Sequence, residues 1–316
     1  MFQEECLSPG DRVLVTGGAG FIGSHLTEAL VERGYRVRVL DNLTSGHHDW
    51  VPRGAEFLEG DIRDLEVCQW ACEGCNGIFH MAAMSRSAAS LDAVELCTSS
   101  NVVGTQNILL AARDHKVGKV VYSGSSTFYG SRSIPHVEGM RPDFLNLYGL
   151  SKATGEEYCL LFDRLYGVPA IVLRYFNVYG PRQPEQGAYA LVLGIFLRRW
   201  LEGRTLVIHG DGMQSRDFVH VSDVVKANIR AYESTVHGET INIGSGRAIS
   251  VRELADLISP LQEFGPARQG DAAHTLADVT RARDLLGWKP GIRFEDGLRE
   301  LKELMQAQSD QVHVIA

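Results

Sequence analysis

Val13-Leu14-Val15-Thr16 runs directly into Gly17-Gly18-Ala19-Gly20-Phe21-Ile22-Gly23-Ser24, and few folds accommodate that stretch. A β-branched apolar run reads as a strand. The residues after it, with Phe21, Ile22, Leu26, Ala29 and Leu30 at helical spacing, read as an amphipathic helix. Gly17, Gly20 and Gly23 lie three apart between the two. In such a strand-turn-helix the first glycine permits a tight turn, the second lets backbone approach a diphosphate, and the third lets helix and strand pack closely. Free N–H groups and the positive dipole end at the helix start favour an anion there. The next apolar run, Val37-Arg38-Val39-Leu40, ends in Asp41. An acid at that place suits the two ribose hydroxyls of NAD and repels the extra phosphate of NADP.

The remaining composition narrows the class. A chain of 316 residues, 44% hydrophobic and 22% charged, is long enough for a large α/β unit and a smaller lobe. A net charge of −8 implies no general affinity for nucleic acid or anionic membranes. No stretch reaches the roughly 20 apolar residues that span a bilayer. Met1-Phe2-Gln3-Glu4-Glu5-Cys6 places acids where a signal peptide needs a basic segment, so a cytoplasmic location is expected. Cys68, Cys72 and Cys75 crowd together, but no fourth Cys or His lies in that segment to close a zinc site. They are read as reduced structural thiols, with no metal expected.

Strands and helices alternate through the first half. After Val37–Asp41 come a strand over Ala55–Asp61, another over Gly77–His80, a helix from Ala93 to His115, and a strand over Lys119–Ser123. A helix from Ser151 to Tyr166 and a strand over Ala170–Arg174 complete the run. Continuously apolar strands in such units imply a parallel sheet covered on both faces, with ligands at the strands' carboxyl ends. Asp41, Asp61, His80 and Ser123 fall at those ends. From Phe176 onward the elements are shorter. Helices are expected over Tyr189–Leu201, Val221–Tyr232, Val251–Ile258, Val279–Leu286 and Phe294–Met305. Short strands are expected near Thr205–His209 and Thr240–Ile243, and residues 306–316 read as a frayed tail. The expected fold is α/β, a Rossmann-like doubly wound parallel sheet with a smaller α/β substrate-binding lobe. Residues 1–175 form the NAD-binding part with a return segment near 215–240, and 176–214 with 241–316 form the lobe.

Tyr148 and Lys152 lie four apart near the start of a helix, on one face. A phenol is a poor base at neutral pH unless a nearby cation stabilises its phenolate, and an ammonium one turn away does so. The pair follows Ser123-Gly124-Ser125-Ser126-Thr127, a hydroxyl-rich loop at a strand end. A serine there is suited to hydrogen-bond a reacting oxygen.

With these residues in view the sequence resembles the extended short-chain dehydrogenase/reductase family, and within it the nucleotide-sugar 4-epimerases. The likeness spans nearly the whole chain. Its further marks are Asp41-Asn42-Leu43, Gly60-Asp61-Ile62-Arg63-Asp64, His80-Met81-Ala82-Ala83, Leu173 through Arg182, Arg216 through Val221, and Leu286-Gly287-Trp288. The resemblance implies that Gly17, Gly20, Phe21, Ile22 and Gly23 cradle NAD. Asp41 and Asn42 then hold its ribose, and Asp61 and Ile62 meet adenine. Met81, Ala82, Ala83, Ser100, Ser123 and Phe176 line the path to the nicotinamide. Ser125, Tyr148 and Lys152 take the catalytic places. Asn177, Arg216 and Arg268 fall where the family binds the substrate's nucleotide diphosphate, and Asp271 is expected among the substrate-binding residues. Ser85, Arg86, Ser126 and Thr275 fall near the sugar.

The family runs several reactions. Related 4,6-dehydratases carry an Asp-Glu pair in the Ser125–Tyr129 loop and related decarboxylases a glutamate, whose place Phe128 takes here. UDP-glucuronate epimerases commonly have threonine at Asn177. A non-catalytic, NAD-sensing relative would lack Tyr148 or Lys152. The expected activity is therefore a UDP-sugar 4-epimerase, with a UDP-uronic acid 4-epimerase or a dehydratase as the alternative. Thr275, seven residues after Arg268, is small where similar epimerases have a bulky tyrosine, so UDP-GlcNAc/UDP-GalNAc is expected beside UDP-Glc/UDP-Gal. Gly124 stands where many relatives have serine. The resemblance also implies a homodimer, through the Ala93–His115 helix and the Tyr148/Lys152 helix. Ile108, Leu109, Ala111 and Ala112 either serve that interface or face the sheet.

Overall fold

A computed structural model of the protein describes residues 9–85, 87–185, 191–266 and 272–315. The first half alternates β1 (Arg12–Thr16), α1 (Phe21–Glu32), β2 (Arg36–Asp41), β3 (Glu56–Glu59), α2 (Leu65–Cys72), β4 (Gly77–His80), α3 (Ser87–Asp92), α4 (Val94–Thr98), α5 (Gly104–Asp114), β5 (Lys119–Ser125), α6 (Leu147–Tyr166) and β6 (Ala170–Tyr175). The second half holds β7 (Asn177–Tyr179), α7 (Val192–Leu201), β8 (Leu206–His209), β9 (Ser215–His220), α8 (Val221–Glu233), β10 (Glu239–Ile243), β11 (Ala248–Ser250), α9 (Val251–Ile258), β12 (Gln262–Gly265), α10 (Thr280–Leu286) and α11 (Phe294–Ile315).

Seven strands form one parallel sheet in the order β10-β6-β5-β4-β1-β2-β3. Alternation along each strand feeds two cores. Val13 and Val15 join Leu26 and Leu30 of α1 and Val224 and Ala227 of α8 on one face. Leu14 joins Ile108 and Ala111 of α5 and Phe162 of α6 on the other. Both faces are covered, so the strands read as unbroken apolar runs. The winding reverses between β1 and β4, which opens a crevice at their carboxyl ends. A three-stranded sheet, β11-β9-β7, and a pair, β12-β8, build the lobe around Tyr179, Leu193, Phe196, Phe218, Leu254 and Leu298.

Several sequence expectations change in detail. Strand β10 pairs with β6 from Glu239↔Ile171 to Ile243↔Tyr175, so residues 241–243 belong to the main sheet rather than to the lobe. Ile241 and Ile243 enter its core, which a short alternating run does not announce. The expected 93–115 helix is α4 and α5 joined by a π turn, Ser99–Val103, that buries Asn101. Ile108, Leu109, Ala111 and Ala112 are fully buried against the sheet and offer no interface. Helix α11 continues to Ile315 instead of fraying after Met305. Cys68, Cys72 and Cys75 are core thiols. Sγ of Cys68 donates to the Ile62 carbonyl and that of Cys75 to the Ala71 carbonyl, and burial pushes all three thiols up from their ordinary pKa.

Candidate active site

The glycine turn divides its work among the three glycines. Gly17 has φ 69°, and a Cβ on it would stand 2.8 Å from the Ala82 nitrogen. A Cβ on Gly23 would lie 2.1 Å from the Gly17 carbonyl oxygen. Both are demanded by backbone packing. Gly20 is different: an added Cβ meets only that carbonyl oxygen, at 3.2 Å, and the residue lines a large cavity. Helix α1 starts at Gly20 with no side-chain cap and no acid in its first turn. Its first N–H groups therefore suit an anion in the cavity.

That cavity, about 2200 Å³, lies along the strands' carboxyl ends and extends into the lobe. A single drug-sized ligand occupies roughly 300–1,000 Å³, so there is room for two nucleotide-sized molecules. Every sequence-predicted site residue within the described segments lines it. Arg86, Arg268 and Asp271 lie outside those segments.

Asp41 ends β2 beside the turn. Its carboxylate accepts from the Ala19 N–H at 3.0 Å and the Leu43 N–H at 2.9 Å, fixing the turn as well as facing the cavity. Burial raises its pKa against the pull of those two bonds. Asp61 is held below the ordinary range, at about 2, chiefly by Arg63, which donates at 2.9 and 2.7 Å; Asn42 donates to it at 2.9 Å.

His80 sits at a strand end but does not line the cavity. Its ring is buried, with Nδ1 2.8 Å from Thr16 Oγ1 and Nε2 3.0 Å from Thr105 Oγ1. Thr105 donates to the Asn101 carbonyl at 2.7 Å and so accepts from His80, which places the ring proton on Nε2. Thr16 then donates to Nδ1 and accepts from the Ala82 N–H at 3.1 Å. Burial, then Lys152, drives the ring's pKa down to about 3, so it is neutral. The run continues through the Asn101 amide, which donates to Ser151 Oγ at 2.9 Å, and Ser151 donates to the Tyr148 carbonyl at 2.8 Å. A continuous line of buried hydrogen bonds thus joins the β1 end to the first turn of α6.

Asn146 caps α6, accepting from the Gly149 N–H at 2.9 Å. Tyr148 and Lys152 project into the cavity one turn apart. The Lys152 ammonium lies 4.2 Å from the Tyr122 ring centroid, and burial brings its pKa down to about 8 while Glu156 works to raise it. Ser125 Oγ accepts from the Thr127 hydroxyl at 2.8 Å. Phe128 turns away from the cavity beneath the Arg174 guanidinium, 3.5 Å from its ring centroid, because the 3-10 turn Ser126–Tyr129 aims it into the core. The residues of that loop that face the cavity beside Ser125 are Ser126 and Thr127, both hydroxyl-bearing. A Cβ on Gly124 would stand 3.0 Å from Val172 Cγ1 and 3.1 Å from the Leu173 carbonyl, so a serine there would crowd β6.

On the lobe side Asn177 donates to Thr275 Oγ1 at 3.2 Å, and Arg216 donates to the carbonyls of Ser215 and Ala273 at 2.9 and 3.2 Å. Asp217, fully buried, organises them. Its carboxylate accepts from Ser245 N and Oγ (both 2.6 Å), Gly246 N (3.0 Å) and Ala277 N (3.0 Å), while its own N–H donates to Thr275 Oγ1 at 3.1 Å. Burial raises its pKa against those bonds.

The sequence profile of the NAD dependent epimerase/dehydratase family matches residues 13–244. The chain belongs to that family. It is 37% identical to a UDP-glucose 4-epimerase of Thermotoga maritima solved with UDP-glucose, over 94% of this chain and 99% of that one, with a TM-score of 0.90. A Thermus thermophilus UDP-glucose 4-epimerase solved with NAD is 33% identical over 92% and 98% of the two chains, with a TM-score of 0.85. A UDP-N-acetyl-alpha-D-glucosaminuronate decarboxylase of Bacillus cytotoxicus is 34% identical over 92% and 96%. Family members so alike in sequence differ in reaction, so the reaction must be argued from the site. The uncapped α1 terminus, the open Gly20 and the acid at the end of β2 fit the family's dinucleotide. The resemblance places Asn101 beside Ser100 at the cofactor, whereas Asp217 and Thr105 escaped the sequence reading. Only the adjacency of Asp217 to Arg216 within a family mark pointed to either of them.

Proposed function

We propose that this enzyme is a UDP-sugar 4-epimerase acting on UDP-Glc/UDP-Gal and on UDP-GlcNAc/UDP-GalNAc. The observation that carries the reading is the Tyr148/Lys152 pair facing a cavity wall of Ser125, Ser126 and Thr127, with no carboxylate between Ser123 and Gly130. Expelling water from a sugar needs an acid and base that this loop lacks. Tyr148, as phenolate, takes the proton of the 4-hydroxyl and gives it back. Lys152 stabilises that phenolate, and Ser125 hydrogen-bonds the reacting oxygen. Gly17–Gly23, Asp41, Asn42, Asp61, Ile62, Met81–Ala83, Ser100, Ser123 and Phe176 would hold NAD, which would supply a reversible hydride acceptor for C4. Arg216 and Asn177, with Arg268, anchor the diphosphate, since a guanidinium fork matches phosphate oxygens, and Asp271 contributes to the binding of the substrate. Ser85 and Arg86 are proposed to contact the sugar.

Thr275 supports the wider substrate range. It lines the cavity, and its hydroxyl is committed to Asn177 and Asp217, so it presents only a small surface to the cavity. A homodimer fits the exposed apolar row Leu150, Leu161 and Leu165 on α6, and light scattering of the purified protein tests it. The reaction is tested by NMR of mixtures with UDP-Glc, UDP-GlcNAc and UDP-GlcA. New 4-epimer signals from the first two are expected. A 4-keto-6-deoxy or decarboxylated product would overturn the reading, and turnover of UDP-Glc alone would remove the N-acetyl substrates.

A further inference from the structure

The loop after β7, Gly180–Pro184, contains Arg182 with φ 66°, in the left-handed region that a side chain disfavours. Such residues persist where surroundings over-determine them, and they gather at ligand clamps. The surroundings here lie on the other half of the molecule. Arg182 donates through Nη1 to Ser24 Oγ at 3.0 Å and through Nη2 to Glu28 at 2.6 Å, and its guanidinium lies 5.9 Å from the Trp50 ring centroid. One residue earlier, the Pro181 carbonyl accepts from His25 Nε2 at 2.8 Å. Ser24, His25 and Glu28 all belong to α1, the helix that begins at the glycine turn. Gly180 sets the path: its φ is 147°, and a Cβ would lie 2.5 Å from Val221 Cγ1. Pro181, Arg182 and Gln183 line the same cavity as Gly20, Phe21 and Ile22.

The lobe is thus fastened to the outer side of the helix whose start faces the diphosphate site. None of these fastenings reaches Tyr148, Lys152 or Ser125. We propose that Gly180–Pro184 is a strap across the dinucleotide groove, and that Arg182, latched to Ser24 and Glu28, is a retention residue that keeps NAD resident from one turnover to the next. The proposal rests on the NAD reading above and assigns the residence of the cofactor to a contact away from the chemistry. The strain at Arg182 is offset only while the fork is engaged, so the latch opens as a unit. A planar fork is required to reach a hydroxyl and a carboxylate together, which an ammonium matches poorly.

The test measures NAD content and exchange rather than turnover alone. Wild type, Arg182→Ala, Arg182→Lys and Glu28→Gln are purified without added cofactor, and thermal melting establishes which are folded. Bound NAD is released by heat and quantified by chromatography, and its replacement by excess NADH is followed by fluorescence. Arg182→Ala is expected to exchange about tenfold faster or more, equivalent to about 1.4 kcal/mol, and to lose most of its NAD. Millimolar NAD in the assay then restores kcat with the KM for sugar nucleotide unchanged. Arg182→Lys falls between. Glu28→Gln repeats the effect from the half-buried partner on α1 and decides the matter if the arginine variants do not fold. Full NAD content with wild-type exchange in the folded variants would overturn the strap, as would lost activity that added NAD does not restore. Wild-type protein purified free of NAD would remove the resident-cofactor reading, and the strap with it.

Discussion

The two sides of the cavity are built differently. On the dinucleotide side the chain holds itself by close backbone approach and a buried hydrogen-bond run, so Gly17, Gly23, Thr16, His80, Thr105 and Asn101 leave little slack. On the lobe side short strands carry Asn177 and Arg216, and one carboxylate, Asp217, gathers the loops that follow them. Rigidity on the first side fixes Tyr148 and the glycine turn relative to one another. The second side needs a firm grip only on the nucleotide, because epimerisation requires the sugar ring to present both faces of C4. A site equally tight on both sides would hold one face only.

That contrast can be broken, beginning with the largest expected effect. Tyr148→Phe removes the base without disturbing the cradle, so kcat should fall about 10²–10⁴-fold while heat-released NAD stays at the wild-type level. Unchanged kcat would reject the base.

Two glycine variants sharpen the first side. Gly23→Ala drives a methyl against the Gly17 carbonyl, so it should cost roughly 1–3 kcal/mol in denaturant unfolding and abolish NAD binding. Gly20→Ala should leave stability nearly unaltered yet still lose NAD, because its methyl enters the ligand's space rather than the protein's. Equal stability losses in both would show that the turn does not divide its work this way. On the second side, Asp217→Asn replaces an acceptor of four hydrogen bonds with a group that also donates. The KM for UDP-sugar should rise about tenfold, the equivalent of about one lost hydrogen bond with its desolvation, with NAD content unchanged. A fall in NAD content would contradict the separation of the two sides.

The smallest effect concerns pH. Neutral His80 keeps a folded-state pKa of about 3, whereas an unfolded chain takes up the proton near 6.5. The folded state therefore loses stability as pH falls below about 6.5, by about 1.4 kcal/mol per unit, until about pH 3. In His80→Gln the loss between about pH 7.5 and 5.5 should be smaller by about 1 kcal/mol, read from urea unfolding at the two values. Equal losses would mean that His80 is not the group that titrates.

Local patterns carried most of the cradle. That Gly17, Gly20, Gly23, Asp41 and the Tyr148/Lys152 pair face one cavity was legible because neighbours along the chain determine where each sits. Contacts between distant segments were not. Asp217 meets residues 28 to 60 positions away, and Arg182 reaches back more than 150, so no spacing marks either. The start of the last stretch of α11, Gln306-Ala307-Gln308-Ser309-Asp310-Gln311, looks like a tail in sequence because it is almost wholly polar.

The central claim is that hydride leaves C4 and returns to C4. UDP-glucose carrying deuterium at C4 tests it directly, with product examined by NMR and mass spectrometry. The account predicts UDP-galactose with the label retained at C4 and none in solvent. Deuterium at C6 of a 4-keto-6-deoxy sugar, or label lost to water, would contradict it.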